Sequence, residues 1–375
     1  MKQQKLYFFL TVSLFFIHSI PIFGQLNRPS TITEKGLSLP EKTFEVFWKT
    51  FEDNYAFFNL RNIDWKHAYD TYRERINSST TDDSLFNILS GMVKPFQDEH
   101  INIYTNEKEF TVEKPSRFLD EFPDSTSQAQ FWSTVDTTLK NLNFSELTKI
   151  GPSENNTPLF YISETAAYGY IRSLRCYVTV ETENNPKKDA KIASSYFAQI
   201  IDKFENKAAI ILDIRMNEGG NDKFAYAIAN NFVKKKSIGH YKQSRKGDYE
   251  DFNDLKSFYL TPARKIPFLK PLIILTNDQT ASAADVLTLI CKELPSTTII
   301  GEPSSGIFSD MYAFELPNKW VVTLSNQRYY SSKMIGYEAV GVPVDIVVEN
   351  AKRDIVNMFD PVLQKALERL TKQTQ

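Results

Sequence analysis

Two short segments of the chain hold residues that could carry out acyl transfer. The first, Asn217-Glu218-Gly219-Gly220, follows the apolar run AIILDIR, and the second surrounds Ser282 after the apolar run PLIILT. Paired glycines let backbone N–H groups face outward from a tight turn. A serine where a strand turns into a helix lies at the helix N-terminus, whose free N–H groups favour developing negative charge. Together the segments could supply a nucleophile and two oxyanion donors, the N–H of Ala283 and that of Gly219 or Gly220.

Each segment also has a purely structural interpretation. Serine is a favoured N-cap residue, so Ser282 could simply close the first turn of a helix. A Gly-Gly pair after a strand is common in turns, and the G-x-S-x-G pattern of the α/β-hydrolases is absent. The choice between nucleophile and helix cap therefore depends on whether a base is available.

Three histidines after the N-terminal segment could act as that base. His67 lies within a helical pattern beside large apolar residues and is interpreted as structural, whereas His240 lies in a lysine-rich segment and is interpreted as solvated. His100 ends the stretch KPFQDEH, where a helical pattern gives way to an extended one, next to Asp98 and Glu99. His100 is therefore the predicted base.

Other catalytic classes find less support. Lys292 lies ten residues along the predicted helix from Ser282, which places it about 15 Å from the serine. The sequence contains no HExxH pattern, the scattered histidines give no ligand spacing, and no GxxxxGK loop occurs. The sequence therefore predicts neither a metal site nor a cofactor.

The surrounding pattern predicts an α/β fold. Apolar residues recur at three- and four-residue spacing over residues 40–92, which is typical of helices. From Tyr168 onward, near-continuous apolar strands alternate with helical segments, which favours parallel pairing. Ligands of such sheets gather at the carboxyl ends of the strands, where both chemical segments lie. The lysine-rich segment 234–256 is interpreted as a solvated excursion between core elements.

The N-terminus and the composition limit the compartment and the partners. Lys2 and Lys5 precede an apolar stretch of about 12 residues, which is typical of a signal peptide and short for a membrane span. The net charge of −2 gives no basic field that would attract nucleic acid. Two cysteines make no disulfide framework. We expect an exported protein, periplasmic or extracellular, without a stable membrane span after signal cleavage. The predicted segments are a signal peptide at 1–24, a helical domain at 25–104, a connecting segment at 105–165, a core at 166–350 and a C-terminal helix at 351–375.

Three segments, in this order, resemble the serine peptidase family of tail-specific (C-terminal processing) proteases and the tricorn core. They are FQDEHINIY, IILDIRMNEGG and ILTNDQTASAADVL followed by IIGEPSSG. The ending YEAVGVPVDIVVE with FDPVLQKALERL is similar to the family's closing strand and helix. The resemblance covers most of residues 40–370 and implies a crotonase-like core with its nucleophile at Ser282. No stretch between 105 and 165 resembles the PDZ insert of many relatives.

The resemblance also separates two branches. Tail-specific members carry a lysine just after the glycine of the GEPSSG-like loop, but Ile307 follows Gly306 here. The tricorn-core and retinoid-binding-protein-like branch carries a histidine in an Asp-Gly-His-Thr-like motif, which residues 98–101 match in the aspartate and the histidine only. The resemblance implies Glu338, in GYEAVGVP, as the acid that orients His100, with Glu99 as the alternative.

The predicted function is that of a serine-type peptidase acting on peptides or unfolded protein segments. A catalytically weak or inactive member that binds a peptide or a hydrophobic small molecule is the main alternative, favoured by the altered motif around His100. A crotonase-type acyl-thioester enzyme is a third possibility from fold alone, opposed by the signal peptide. The sequence does not indicate an oligomeric state.

Overall fold

The computed structural model describes residues 26–373, so the predicted signal peptide lies outside the described residues. The helices are α1 (Leu39–Asn54), α2 (Trp65–Arg73), α3 (Asp82–Val93), α4 (Arg117–Glu121), α5 (Ser125–Asn141), α6 (Val180–Glu183), α7 (Pro186–Lys203), α8 (Asp222–Ala229), α9 (Ala283–Lys292), α10 (Lys352–Asn357) and α11 (Pro361–Gln373). The strands are β1 (Asn102–Tyr104), β2 (Glu109–Thr111), β3 (Thr148–Glu154), β4 (Thr157–Glu164), β5 (Tyr168–Arg172), β6 (Ala209–Asp213), β7 (Ser237–Ser244), β8 (Lys256–Leu260), β9 (Leu272–Thr276), β10 (Thr297–Gly301), β11 (Met311–Glu315), β12 (Val321–Ser325), β13 (Gln327–Ser331) and β14 (Ile346–Val347).

A seven-stranded sheet forms the centre of the core, in the order β14-β10-β9-β6-β5-β4-β3. The strands from β14 to β5 pair in parallel, and β4 and β3 add an antiparallel edge. Every residue of β6 and β9 is buried, as their continuous apolar runs predict. The prediction of a mixed α/β fold with mostly parallel strands is confirmed.

Alternate residues of the central strands pack against helices on opposite faces of the sheet. Ile210 and Ile274 contact the layer formed by α7, α8 and α9, whereas Ile211 and Ile273 contact α5 and α11. The alternation follows from the two-residue period of a strand. Both chemical segments follow central strands, so the sheet holds them side by side at its carboxyl edge.

The N-terminal helices share their core with a later part of the chain. Apolar residues of α1 and α3 pack on β1 and on the β11–β12 hairpin, which join β2 in a four-stranded sheet. The helices predicted for this region are present, and they lie in one cluster with strands from residues 311–325. This arrangement fixes the loop before β1, which carries His100, to the core.

Two stretches differ from their sequence interpretation. The segment interpreted as solvated contains β7 and β8, which form a three-stranded sheet with β13, and His240 on β7 is fully buried. His240 stacks between Phe258 and Tyr329, because alternate side chains of the strand point inward despite the flanking lysines. His67 is exposed on α2. The connecting segment contains α5, as the helical pattern around residues 128–142 predicts, and the β3–β4 hairpin, which was not predicted and completes the main sheet.

Candidate active site

Ser282 occupies a strained corner between β9 and α9. Its φ of 56° and ψ of −120° fall in a region that side chains other than glycine rarely adopt, at a cost of about 1–3 kcal/mol. An ordinary N-cap residue has an extended backbone and accepts a hydrogen bond on its side chain. Ser282 makes no such side-chain bond. The helix-cap interpretation therefore does not describe this serine, whose hydroxyl remains available at the corner.

Asp285 holds the corner in place, and the sequence analysis gave it no role. Its Oδ2 accepts the N–H groups of Ser282 at 3.0 Å and of Ile307 at 3.1 Å, and its Oδ1 accepts that of Gly306 at 2.9 Å. Burial raises the pKa of this carboxyl to about 6, against the hydrogen bonds that it accepts. Asp285 thus joins the first turn of α9 to the loop after β10. An acid three residues after a corner serine is the signal that could have identified it.

The Gly219-Gly220 turn packs directly against this corner. A Cβ atom on Gly219 would lie 2.6 Å from the Ala281 carbonyl oxygen and 2.7 Å from the Ala283 nitrogen, so only glycine fits without displacement. The Gly219 N–H donates to Asn217 Oδ1 at 2.9 Å. Within residues 26–373 the N–H groups of Gly220 and Ala283 have no recorded acceptor. Of the two predicted glycine donors, Gly220 is therefore the one whose N–H is free.

The base of the turn is anchored in the core by the residues between the strand and the glycines. Arg215 is fully buried and pairs with Asp213 at 2.6 Å and with Asp360 at 2.8 Å. Asp360 directly precedes α11, so the C-terminal helix is tied to the turn. Asn217 donates to the Ser173 carbonyl at 2.9 Å and accepts from Gly219. The Asp-x-Arg-x-Asn-x-Gly-Gly pattern therefore serves to hold the glycine turn against the serine corner.

His100 lies in the loop that enters β1 and is 9% exposed. The backbone N–H of His100 donates to Asp98 Oδ1 at 3.1 Å, and its backbone carbonyl accepts from Thr323 Oγ1 at 2.7 Å. The ring atom Nδ1 is buried without a hydrogen-bond partner. Burial lowers the pKa of His100, while Asp98 and Asp310 oppose the shift. A neutral imidazole is the form that a general base requires.

A buried ionic network lies behind His100, and it contains the predicted Glu338. Glu338 Oε1 accepts from Arg61 Nη2 at 3.1 Å, and its Oε2 accepts the Phe308 N–H at 3.0 Å. Arg61 Nε also lies 4.0 Å from Asp98 Oδ2, which accepts from the Tyr55 hydroxyl at 3.0 Å. Burial raises the pKa of Glu338 to about 8, and repulsion from Asp98 adds to this shift. Glu338 thus supports the Phe308 backbone beside the site.

Neither predicted orienting acid contacts the imidazole directly. In residues 26–373 no hydrogen bond joins His100 to the side chain of Glu338 or Glu99. Glu99 is half-buried. Burial raises the pKa of Glu99 to about 7, and the charge of the nearby Lys114 opposes the shift. Asp98 is the acid that holds the His100 backbone, and sequence reasoning named it only as a neighbour.

A cavity of about 710 Å³ brings the two parts of the site together. Ser282 and His100 both line it, together with Gly220 and Phe308. In the part of the chain that the structure describes, no hydrogen bond joins Ser282 Oγ to His100; such bonds often form only with substrate present. The cavity volume is in the range of small-molecule and peptide side-chain sites. The cavity therefore brings together Ser282, His100 and Gly220, whose N–H is free, which are residue types that acyl transfer requires.

The described residues offer neither a cluster of metal ligands nor a membrane-spanning helix. Between residues 26 and 373, no group of three or more histidine, cysteine or acidic side chains is placed to hold a metal ion. Over the same range, the helices are too short or too polar to cross a bilayer.

Comparison with known proteins identifies two matching segments. Residues 175–348 match the model of peptidase family S41, and residues 40–94 match that of the tricorn protease C1 domain. A carboxy-terminal-processing protease of Bartonella bacilliformis is 28% identical over 153 residues, which are 41% of this chain and 34% of the relative. That of Bacillus subtilis is 23% identical over 336 residues, 81% of this chain and 68% of the relative. The chain thus spans only about a third of the length of the first of these relatives.

A solved structure extends the likeness to the whole fold. The crystal structure of a protein from Parabacteroides merdae superposes with a TM-score of 0.73 at 23% identity, covering 89% of this chain and 97% of that chain. The matched family segment contains the glycine turn, Ser282 and Glu338, and the C1 segment contains the helices that position His100. The chain is therefore similar to peptidase family S41 over residues 175–348.

Proposed function

We propose that the protein is a serine-type peptidase that cleaves peptides or unfolded protein segments. The observation that carries this proposal is the Ser282 corner. Its hydroxyl is unused by the helix behind it, its backbone is strained, and it lines one cavity with His100. Strain at a strand-to-helix serine is the geometry that presents a nucleophile above a sheet.

The proposed reaction begins with attack of Ser282 Oγ on the scissile carbonyl carbon while His100 removes the hydroxyl proton. The N–H groups of Ala283 and Gly220 stabilise the oxyanion that forms, at the positive end of α9. Collapse of the intermediate breaks the C–N bond, and His100 returns the proton to the leaving amine. Water then hydrolyses the acyl-enzyme by the same route.

Asp98 and Glu338 act on this site through other groups. Asp98 holds the His100 backbone, and Glu338 holds the Phe308 N–H beside the cavity. We propose Glu338, rather than Glu99, as the acid that supports His100, because Glu338 shares Arg61 with Asp98. A crotonase-like type for the core and export through an N-terminal signal peptide complete the proposal. The family resemblance supports the first, and the sequence pattern of residues 1–24 supports the second.

A second candidate function is peptide or hydrophobic small-molecule binding without cleavage. The observation that favours it is the missing hydrogen bond between Ser282 and His100, together with the loss of glycine at Glu99. The same cavity would then hold a ligand without attacking it.

Labelling with a fluorophosphonate probe separates the two functions. The purified protein is treated with the probe, and the modified peptide is located by mass spectrometry, with Ser282→Ala and His100→Ala beside it. We expect label on Ser282 that is lost in Ser282→Ala and is at least about a hundredfold slower in His100→Ala. Folded wild-type protein that takes no label would remove the peptidase proposal and favour the binder.

A further inference from the structure

The cavity beside Ser282 contains charged side chains that the proposed reaction does not use. Asp222 is the first residue of α8, which directly follows the Gly219-Gly220 turn. Asp310 lies two residues after Phe308. Both acids line the same cavity as Ser282 and His100. Two carboxylates are therefore present in the space where a substrate would lie.

Lys242 on β7 joins these two acids, and its donors are used. Its Nζ lies 2.8 Å from Asp310 Oδ2, 2.9 Å from the Tyr329 hydroxyl and 3.5 Å from Asp222 Oδ2. An ammonium group has three N–H donors, so each is directed at a partner inside the protein. The Lys242 side chain is 14% exposed. It is therefore not free to bind a carboxylate of a substrate.

The group formed by Lys242, Asp222 and Asp310 carries one more negative than positive charge when both acids are ionised. The Tyr329 hydroxyl lies 3.0 Å from Asp222 and 2.9 Å from Asp310, but its single hydrogen can serve only one of them at a time. Burial raises the pKa of Asp222 to about 6, and repulsion from the nearby Asp310 adds to this shift. Burial, the largest cause, disfavours the ionised form of a carboxyl group, so a cation bound beside it would stabilise the carboxylate.

The remaining charges and walls of the cavity fit one class of occupant. Glu183 and Lys223 also line the cavity and balance one another in charge, so the excess stays negative. Phe258, Phe308 and Met311 contribute apolar wall. An aliphatic stem can pack on such walls while its charged end meets the acids. His100 lines the cavity as well, which places the proposed base in the same space as the two acids.

We infer that this cavity selects a peptide with a lysine or arginine side chain next to the cleaved bond, and that Asp222 and Asp310 receive its cationic end. The inference rests on the proposed peptidase function for the cleavage step, while the binding preference is independent of turnover. It also predicts that an acidic side chain or a free carboxylate is disfavoured in the cavity. The free N-terminal amine of a peptide has the same cationic chemistry and is the other source that a test must separate.

The test measures binding to the Ser282→Ala protein by fluorescence anisotropy and cleavage by the wild type. The probes are Nα-acetylated, C-amidated decapeptides in an alanine-glycine background that carry one central lysine, arginine, norleucine or glutamate. A norleucine peptide with a free amine is the fifth probe. Mass spectrometry locates the cleaved bond relative to the variable residue. Asp222→Asn and Asp310→Asn test the two acids, and Glu181→Gln, an exposed residue outside the cavity lining, is the matched change of charge.

We expect the lysine and arginine peptides to bind about tenfold tighter than the norleucine peptide, with glutamate weakest. The lysine-to-norleucine ratio should fall to below about threefold in Asp222→Asn or Asp310→Asn, and it should stay at the wild-type value in Glu181→Gln. Equal or tighter binding of norleucine, or a ratio unchanged in both aspartate variants, overturns the inference. Tight binding of the free-amine norleucine peptide alone would assign the acids to the N-terminus and overturn the side-chain assignment. A lysine preference in binding with no cleavage and no label on Ser282 would refute the peptidase function and leave the charge preference standing.

Discussion

Gly219 lies against Ser282 so closely that a Cβ atom on the glycine would stand 2.6 Å from the Cβ atom of the serine. The glycine also has a φ of +92°, which side chains disfavour. The backbone of the turn can therefore touch the first turn of α9 only because residue 219 has no side chain. The close approach brings the free N–H groups of Gly220 and Ala283 into neighbouring parts of the chain.

Gly219→Ala should disrupt this contact. The added methyl group would displace the backbone of residues 281–283, since three atoms lie within 2.7 Å of it. We expect a loss of stability on the order of 2–4 kcal/mol, from overpacking and positive φ together. Fluorophosphonate labelling should slow by at least about a hundredfold, as for the loss of an oxyanion donor. Urea unfolding and labelling rates measure the two effects.

Gly36→Ala is the control for the cost of a positive φ without a steric clash. Gly36 has a φ of +78°, and a Cβ atom there would meet nothing within 4 Å. It should cost about 1 kcal/mol and leave labelling unchanged. If the two variants behaved alike, steric contact at the corner would not explain the need for Gly219.

Asp285→Ala should release the loop after β10 from the corner. It would leave the N–H groups of Gly306 and Ile307 without their acceptor, and it would remove one acceptor from Ser282. Buried donors left unsatisfied cost about 1–3 kcal/mol each, so we expect a loss of at least roughly 3 kcal/mol and slower labelling. Asp285→Asn keeps one acceptor oxygen, so its stability and labelling rate should lie between those of the wild type and of Asp285→Ala. Asp124→Ala, at the exposed cap of α5, should destabilise the protein less than Asp285→Ala and leave labelling intact; an equal loss of labelling there would contradict a local role for Asp285.

Local sequence patterns predict the central strands of the fold, but they hide two other strand pairs. The runs AIILDIR and PLIILT predict buried central strands because nearly every residue is apolar, and both strands are present. The β3–β4 hairpin was interpreted as a loop, although Asn155-Asn156 lies between two alternating stretches. Both asparagines have positive φ, the requirement of a two-residue hairpin turn. The run Lys234-Lys235-Lys236 directly before β7 conceals a strand with an inward face that carries His240.

The sequence predicts those parts of the site that lie within one segment, and it does not predict contacts between distant segments. Ser282 and Gly219 lie within recognisable strand-to-helix turns, so the corner could be predicted from the sequence. The partner of Glu338 could not, because Arg61 lies 277 residues away and no local pattern links the two. Asp98 was visible beside His100, but its bonds to Tyr55 and Ser325 depend on the packing of the N-terminal helices against β12.

Above pH 8, where Glu338 ionises, Arg61→Met should leave Asp98 and Glu338 as two buried carboxylates without a cation. Removal of one partner of a buried ion pair costs about 3–5 kcal/mol, and we expect a loss in that range. Arg61 also donates to the Phe96 and Gln97 carbonyls before His100, so labelling of Ser282 should slow as well. Adding Glu338→Gln removes one carboxylate and should restore part of the stability, which a double-mutant cycle in urea detects. Arg75→Met, in the turn after α2, is the control for loss of charge and should have little effect; strictly additive losses of the Arg61 and Glu338 changes would refute the coupling.

The pH dependence of labelling should report the state of His100. Burial lowers the pKa of His100 below the ordinary 6.5, and Asp98 opposes the shift. The imidazole is an active base only above its pKa, so the acid limb of the rate profile should have its midpoint below pH 6.5. Asp98→Asn removes the opposing charge and should move the midpoint still lower. A midpoint at or above 6.5 in the wild type would show that the histidine in control is not the buried His100.

Glu338 should make the protein less stable as pH rises. Its pKa is raised from 4.5 to about 8 by burial and by Asp98, so folding favours the protonated form. The stabilising contribution is complete below pH 4.5, the value in the unfolded chain, and is lost as pH rises through about 8. One pKa unit corresponds to about 1.4 kcal/mol, so the loss is on the order of a few kcal/mol. Glu338→Gln cannot ionise but retains an acceptor for the Phe308 N–H, so its urea midpoint should change less than that of the wild type between pH 5 and pH 9. Parallel curves for the two proteins would show that Glu338 is already ionised at pH 5, with Arg61 compensating for its burial.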